Sequence, residues 1–272
     1  MSKLKSWVKE FNNIVVFTGA GISTESGIPD FRSPGGIWTK MAPIMFQDFM
    51  SSEESQIESW RRKFAIDQDM KIAKPNIGHK VISKLSAANK VSYVLTQNID
   101  NLHHDSGIDP NKIIELHGNS TYAKCLDCEK RYELDYIREF LEDKKNNYTK
   151  PPKCLDCSKP FKLKEIHEKF LKTLIAPLCD ECNGFIKTAT ISFGQPMPEK
   201  EMKIAEKASK TCDLFIAIGS SLKVYPAAGL PILARNNGAK LVIINRESTE
   251  LDSIANEVIN KEIGETLKTL LI

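Results

Sequence analysis

Residues 15–38 read VVFTGAGISTESGIPDFRSPGGIW. The apolar run Ile14-Val15-Val16-Phe17 has no polar alternation, the pattern of a strand buried on both faces of a parallel sheet. It breaks at Thr18-Gly19-Ala20-Gly21, a turn that lets backbone N–H groups approach a phosphate closely at the start of a helix. The third glycine of the usual dinucleotide fingerprint is missing, so by itself this turn is weak evidence. Gly27-Ile28-Pro29-Asp30-Phe31-Arg32 then sets a carboxylate, an aromatic ring and a guanidinium side by side between two Gly/Pro breaks. An Arg can grip a pyrophosphate or carboxylate in fork geometry, and a Phe can cover a flat ring.

Outward from this segment, strands alternate with helices. Val91–Thr96, Ile113–Leu116, Ala189–Phe193, Leu214–Ile218 and Leu241–Ile244 read as strands. Helices are expected from Ser2 to Asn12, within Ala42–Lys74, from Gly78-His79 onward, over Glu199–Ser209 and across Ala227–Arg235. This rhythm predicts a parallel doubly wound sheet, whose ligands bind beyond the carboxyl ends of the strands. Those ends carry Gly19 and Gly21, Gln97-Asn98-Ile99-Asp100, His117, Gly219-Ser220-Ser221 and Asn245. Most of these are also ordinary turn and cap residues, and Gln97–Asp100 alone would read as a turn with a helix cap. Of the five histidines, His117 is the best acid/base candidate, because it stands at a strand end facing the crevice and titrates near neutrality. His79 reads as a packed or capping residue.

The chain has 272 residues, enough for one large domain and a smaller one. With 38 basic and 35 acidic residues the net charge is +3, too close to neutral to suggest nucleic acid or an anionic membrane as the main partner. The N-terminal stretch has no apolar core of a signal peptide, and no run is long enough to span a bilayer, so a soluble cytoplasmic protein is expected.

From Thr121 to about Thr188 the composition shifts to Cys, Lys, Asp and Pro, the mark of an inserted module. Three CxxC pairs fall there, Cys125/Cys128, Cys154/Cys157 and Cys179/Cys182, while Cys212 stands alone as a small buried hydrophobe. Two such pairs complete a closed tetrahedral zinc site, which is structural rather than catalytic. Spacing favours the shorter loops, which involve the middle pair, but does not settle the ligand set. Loops of 25 and 21 residues flank the middle one, and 50 separate the outer two.

With these pieces in order, the chain resembles the sirtuins, the NAD-dependent protein lysine deacylases. The resemblance runs through Thr18–Ser23, Gly27–Arg32, Thr96–His103, Leu116-His117-Gly118-Asn119, the cysteine pairs, Phe193-Gly194, Gly219–Leu222 and Asn245. It implies an α/β fold in which residues 1–38, 78–120 and 188–272 form a Rossmann-like NAD-binding domain. Residues 39–77 would form a helical module and residues 121–187 a zinc-binding module, with NAD in the cleft between domains. By the same resemblance Gly19, Ala20, Gly21, Asp30, Phe31 and Arg32 hold the phosphates and cover the reacting end of NAD. Gln97, Asn98, Ile99 and Asp100 form the nicotinamide–ribose pocket. Gly219, Ser220, Ser221, Asn245 and Ile263 take the adenosine end, and His117 is the general base.

The family pattern assigns zinc to Cys125, Cys128, Cys179 and Cys182, leaving Cys154 and Cys157 in an insertion. The acyl-lysine substrate is expected as an added strand beside Phe193, Gly194 and Val224. Gln195 stands where Glu is common and Ser220 where Thr is common. The Tyr-x-x-Arg pair of acid-selective members is missing, although Arg61 and Arg62 are present, which implies neutral acyl groups such as acetyl. The competing readings are a protein mono-ADP-ribosyltransferase, a zinc-containing NAD dehydrogenase and a non-enzymatic zinc-ribbon module.

Overall fold

The apolar run that opens the chain forms a strand buried at all five positions, Ile14–Thr18. In this computed structural model the described residues are 3–31, 36–142 and 176–271. In chain order the strands are β1 (Ile14–Thr18), β2 (Val91–Thr96), β3 (Ile113–Glu115), β4 (Gly118–Cys125), β5 (Arg131–Glu133), β6 (Ile186–Thr190), β7 (Leu214–Ile218), β8 (Lys240–Ile244) and β9 (Glu257–Ile259). The chain divides into two compact units, residues 1–42, 73–118 and 196–272 in one and residues 43–72 and 119–195 in the other.

The first unit holds a six-stranded sheet in the order β3-β2-β1-β7-β8-β9, with neighbours parallel throughout. Side chains alternate between its faces, as the two-residue period of a strand demands. Ile14 and Val16 of β1, with Ile216, Ile218, Val242 and Ile244, pack on one face against Leu4 and Val8, Val81 and Ile82, and Ile263 and Leu267. These come from the helices Lys3–Glu10, Ile77–Ala87 and Ile263–Lys268. Val15 and Phe17, with Phe215, Leu241 and Ile243, pack on the other face against Ala205, Ala208, Leu230 and Ala234 of the helices Glu199–Thr211 and Gly229–Asn236. The result is a helix–sheet–helix sandwich whose strand order reverses between β1 and β7, the place where such sheets open a ligand crevice.

The second unit has a three-stranded sheet in the order β5-β4-β6 and the helices Phe46–Ser51, Glu53–Ile72 and Leu134–Glu142. Its core gathers Trp60, Phe64, Ala123, Tyr132, Ile137 and Ile186 around Cys125 and Cys179. The carboxylate of Asp67, 4% exposed, takes Lys63 Nζ at 2.6 Å and Arg138 at 3.3 Å, linking two helices of this unit.

One sequence expectation needs correction. The strand expected at Ala189–Phe193 runs from Ile186 to Thr190 and belongs to the small sheet instead of the parallel one. Thr188 and Thr190 are β-branched and sustain a strand without an apolar run, so hydropathy alone placed it too late. The Ala42–Lys74 stretch is helical as expected, in two helices separated at Ser52. The helix that the turn after β1 opens is a seven-residue 3-10 helix, Ala20–Ser26. Other expectations hold: His79 is packed, 0% exposed, and the cap of the Ile77–Ala87 helix is Asn76, whose side chain accepts from the backbone of Gly78 and His79.

Candidate active site and metal centre

Backbone hydrogen bonding continues one step past the strand ends and lines up the loops along one edge of the sheet. Leu116 N donates to Thr96 O at 2.9 Å and Gln97 N to Thr18 O at 2.9 Å. Gly19 N donates to Ile218 O at 3.0 Å and Gly219 N to Ile244 O at 2.9 Å. His117, Gln97-Asn98, Gly19–Gly21, Gly219-Ser220 and Asn245 therefore follow one another in a row, as expected from the strand ends.

Three glycines interlock where the strand order reverses. A Cβ on Gly19 would stand 2.7 Å from Gly219 O, and one on Gly21 2.8 Å from Gly219 Cα. Gly219, at φ +63°, would carry a Cβ 2.4 Å from Ile22 N. The glycine absent from the dinucleotide fingerprint in sequence is thus supplied by the loop after β7. Gly19 and Gly21 are required by the close passage of two backbones, a reason that local turn chemistry did not reveal.

Behind this row lies a connected set of buried and partly buried polar contacts. Thr18 Oγ1 donates to Thr96 Oγ1 at 2.9 Å and lies 2.9 Å from His103 Nε2. Thr96 Oγ1 accepts from Asn98 N, and the Asn98 amide donates to Gly19 O at 3.1 Å and Ser23 Oγ at 3.2 Å. Ser23 Oγ donates to Asp100 Oδ2 at 2.6 Å, and Leu102 N to Asp100 Oδ1 at 3.0 Å. Burial raises the Asp100 pKa, and these two donors oppose that rise. Burial also lowers His79 to about 4 and His103 well below its usual value, so both are neutral. Thr18, Thr96 and His103 stand within the motifs quoted from the sequence, which gave them no role in the site. The available signal was a threonine closing each of two adjacent apolar strands.

His117 is half-buried, and its Nδ1 lies 3.1 Å from Gln97 O. A carbonyl only accepts, so Nδ1 carries the proton and the lone pair of the neutral ring falls on Nε2. Gln97 is held in turn, its side-chain amide donating to Ser220 Oγ at 2.8 Å.

The remaining candidates differ in what they can offer. The Asn245 amide donates to Glu247 O and so shapes its own loop. The Ile263 side chain, 8% exposed, packs in the apolar core. Ile99 and Ser221 are partly exposed beside their loops. The Phe31 ring leans on Trp38 with centroids 5.2 Å apart, and Ile37 N donates to Asp30 O at 3.0 Å. Arg32, Cys154 and Cys157 lie outside the described residues.

In the second unit, Cys125, Cys128, Cys179 and Cys182 bring their sulfurs within 4.8 Å of one another. Cys125 and Cys182 are 3.5 Å apart and Cys128 and Cys179 3.6 Å, close to the roughly 3.8 Å edge of a tetrahedron with 2.3 Å zinc–sulfur bonds. Four thiols with this spacing fit zinc and leave no open position. Two tight turns present them: Leu126 N pairs with Phe185 O, and Cys179 N with Gly184 O. Gly184 leaves room for the cluster, since a Cβ there would stand 2.8 Å from Cys125 Sγ. The Tyr132 hydroxyl reaches Cys179 Sγ at 3.1 Å and also contacts Asp180.

Phe193 and Gly194 also belong to this unit. Phe46 N donates to Phe193 O at 2.8 Å, and Gly194 has φ +82°. Val224, in the first unit, is partly exposed between the left-handed Leu222 and a cis Tyr225–Pro226 bond.

Residues 19–226 match the model of the Sir2 family. An NAD-dependent protein deacetylase of Rhodopseudomonas palustris is 48% identical over 98% of this chain and 94% of its own length. NAD-dependent protein deacetylase 1 of Bradyrhizobium diazoefficiens is 50% identical over 98% of this chain and 93% of its own. Among solved structures, a Sir2 variant with deacetylated p53 peptide and 3'-O-acetyl-ADP-ribose superposes with TM-score 0.78 at 33% identity, covering 99% of this chain and 96% of that one. A Sir2–p53 peptide–NAD+ complex superposes with TM-score 0.76 at 32% identity, covering 100% and 97%. This chain belongs to the Sir2 family, the NAD-dependent protein deacylases.

Proposed function

We propose that the chain removes acyl groups, chiefly acetyl, from protein lysines with consumption of NAD, releasing nicotinamide and O-acyl-ADP-ribose. The observation that carries the residue roles is the His117–Gln97 contact. It fixes the imidazole tautomer that leaves Nε2 free of its proton on the same sheet edge as Asn98, Ser23 and Asp100. NAD supplies an electrophilic ribose carbon activated by its nicotinamide leaving group.

Every other role falls to this chain's own groups. Gly19, Ala20 and Gly21 offer backbone N–H donors to the phosphates, and Asp30, Phe31 and Arg32 cover the nicotinamide end. Gln97, Asn98, Ile99 and Asp100 line the nicotinamide–ribose pocket, where the buried Asp100 can meet a carboxamide. Gly219, Ser220, Ser221, Asn245 and the backbone of Ile263 serve the adenosine end. His117 Nε2 would take the proton from a ribose hydroxyl whose oxygen attacks the acyl carbon, the role of a general base. Zinc on Cys125, Cys128, Cys179 and Cys182 holds the small sheet together and takes no part in the chemistry. Phe193, Gly194 and Val224 are the candidates for the backbone of the acyl-lysine peptide.

The preference for neutral acyl groups has a physical basis in the charges around Arg61 and Arg62. Glu58 accepts from Arg61 Nε at 2.5 Å and from Arg62 Nε at 2.6 Å. Burial pushes the Glu58 carboxyl up, but the two guanidiniums outweigh it and hold the pKa below its ordinary value. Both arginines are engaged with this carboxylate. A cytoplasmic location suits a protein whose four clustered cysteines must stay reduced to hold a metal. Among the described residues no helix is long and apolar enough to cross a membrane.

The test follows an acetyl-lysine peptide and NAD by nicotinamide release and by mass detection of the acyl ester. His117→Ala is expected to lower turnover by about 10²- to 10⁴-fold, with NAD binding retained. Full activity in that variant would overturn the role of His117. Appearance of NADH absorbance would point to a dehydrogenase, and transfer of label from NAD to protein would point to the transferase.

A further inference from the structure

Lys187 is a buried amine that the reaction outlined above does not use. It lies in β6 and is 2% exposed. Its Nζ donates to Thr190 O at 2.5 Å and lies 3.5 Å from Thr188 O. Among the described residues it has no carboxylate within ion-pair distance. Burial, with a smaller contribution from Lys124, lowers its pKa to about 7. Burying an amine without a counter-charge is costly, and an apolar side chain would fill the space at less cost. What the amine adds is the grip on two carbonyls where β6 leaves its sheet.

The five residues after Thr190 are pinned at two further points. Gln195 closes the turn, its Oε1 accepting from Ser192 N at 3.1 Å while its own N donates to Ser192 O at 3.0 Å. Phe46 N ties down Phe193 O at 2.8 Å. The departure at Gln195 costs nothing here, since an amide oxygen accepts from Ser192 N as a carboxylate would. Lys187 thus holds the first of three fastenings on the segment that ends at Phe193 and Gly194.

We propose that Lys187 is a positioning residue for the acyl-lysine peptide: by holding the Thr188 and Thr190 carbonyls it sets the course of the backbone that offers its edge to the substrate strand. The proposal rests on the reading of Phe193-Gly194 as the peptide-docking segment. A strand-addition site binds through its main chain, so a tilt of the receiving segment weakens every hydrogen bond to the substrate at once. Cofactor affinity, which depends on the other unit's loops, should stay unchanged.

The experiment compares Lys187→Met, which keeps the stem and removes the amine, with Lys187→Arg, which restores donors, in steady-state kinetics on an acetyl-lysine peptide. Lys187→Met is expected to raise the peptide KM about tenfold while leaving kcat and the KM for NAD within about twofold, and Lys187→Arg to recover most of the loss. An unchanged peptide KM in Lys187→Met overturns the proposal. So does a rise in both KM values accompanied by loss of zinc or a fall in melting temperature, which would make Lys187 a residue of the fold only. Lys187→Arg performing no better than Lys187→Met has the same consequence. Gly194→Val separates the two readings, because it forces a branched side chain into a left-handed position on the docking segment itself. If fluorescence anisotropy shows unchanged peptide binding in Gly194→Val, the docking reading fails and Lys187 with it. If Gly194→Val weakens binding and Lys187→Met does not, only the role of Lys187 fails.

Discussion

The two units hold their functional groups in opposite ways. In the sheet unit, two separate apolar layers flank β1, β7 and β8, and the polar residues stand on loops beyond the strand ends. Scaffold and site are different residues there. In the small unit, Cys125 and Cys179, 0% and 1% exposed, belong at once to the four-thiol cluster proposed to hold zinc and, among the described residues, to the apolar cluster of that unit. Scaffold and site coincide. A site built on an independent core can lose a side chain and keep its shape. A site that is also the core cannot.

Zinc removal should give the largest effect. Structural zinc sites contribute about 10–16 kcal/mol of apparent folding free energy in small domains, more than one small apolar cluster supplies. Chelation, or Cys179→Ser, is expected to abolish amide-exchange protection across Ile186–Thr190 while Val15–Phe17 and Leu214–Ile218 stay protected. Loss of protection in all three stretches together would break the contrast between the units. Cys154→Ser combined with Cys157→Ser should still bind one zinc per chain, and loss of the metal in that double variant would transfer the ligand role to the middle pair.

Gly219→Ala should come next. At φ +63°, with its Cβ 2.4 Å from Ile22 N, an alanine meets both backbone strain and a main-chain clash. A cost of about 3 kcal/mol is expected in urea denaturation, with weakened NAD binding because the displaced loop carries Ser220. Gly27→Ala is the control. Gly27 has φ +87° but nothing within 4 Å of an added Cβ, so it should lose only about 1 kcal/mol. Equal losses in the two variants would mean that backbone conformation alone, and not the close passage of loops, demands glycine at position 219.

The same contrast explains what could be read from the chain beforehand. The sheet unit announces itself because its strands are continuous apolar runs. Leu214–Ile218 and Val91–Thr96 match their strands end to end, and the candidate residues fall at strand termini where the architecture places ligands. What escaped there was long-range. Nothing local to residues 19–21 shows that Gly219 would complete the glycine set, or that Thr18 meets His103 across 85 positions. β9, with all three residues only partly buried, carries no apolar run to announce it. In the small unit the cysteine spacing is legible and the strands are not. Gly118–Cys125 alternates polar and small residues and has no hydrophobic period, since cysteines and aromatic side chains from other segments supply its core. The choice among three CxxC pairs needed family resemblance for the same reason, because thiols are brought together by the fold and not by loop length.

The smallest effect tests whether charge contributes to the sheet unit at all. His104 Nε2 lies 3.2 Å from Glu115 Oε1, with both side chains about a quarter exposed. The hydrogen bond to Glu115 raises the His104 pKa, outweighing the opposing effect of burial. A group whose folded pKa is raised binds its proton more tightly in the native state. Its stabilisation is therefore fully present below the unfolded value near 6.5 and disappears as pH climbs through the folded value. Solvent screening keeps the magnitude to about 0.5 kcal/mol. His104→Gln should accordingly lose about that much at pH 5.5 and nothing measurable at pH 9, read from urea midpoints at constant slope. A larger loss at pH 9 would reverse the sign of the argument. A loss of several kcal/mol at either pH would mean that an ion pair, and not the two apolar layers, carries this part of the sheet.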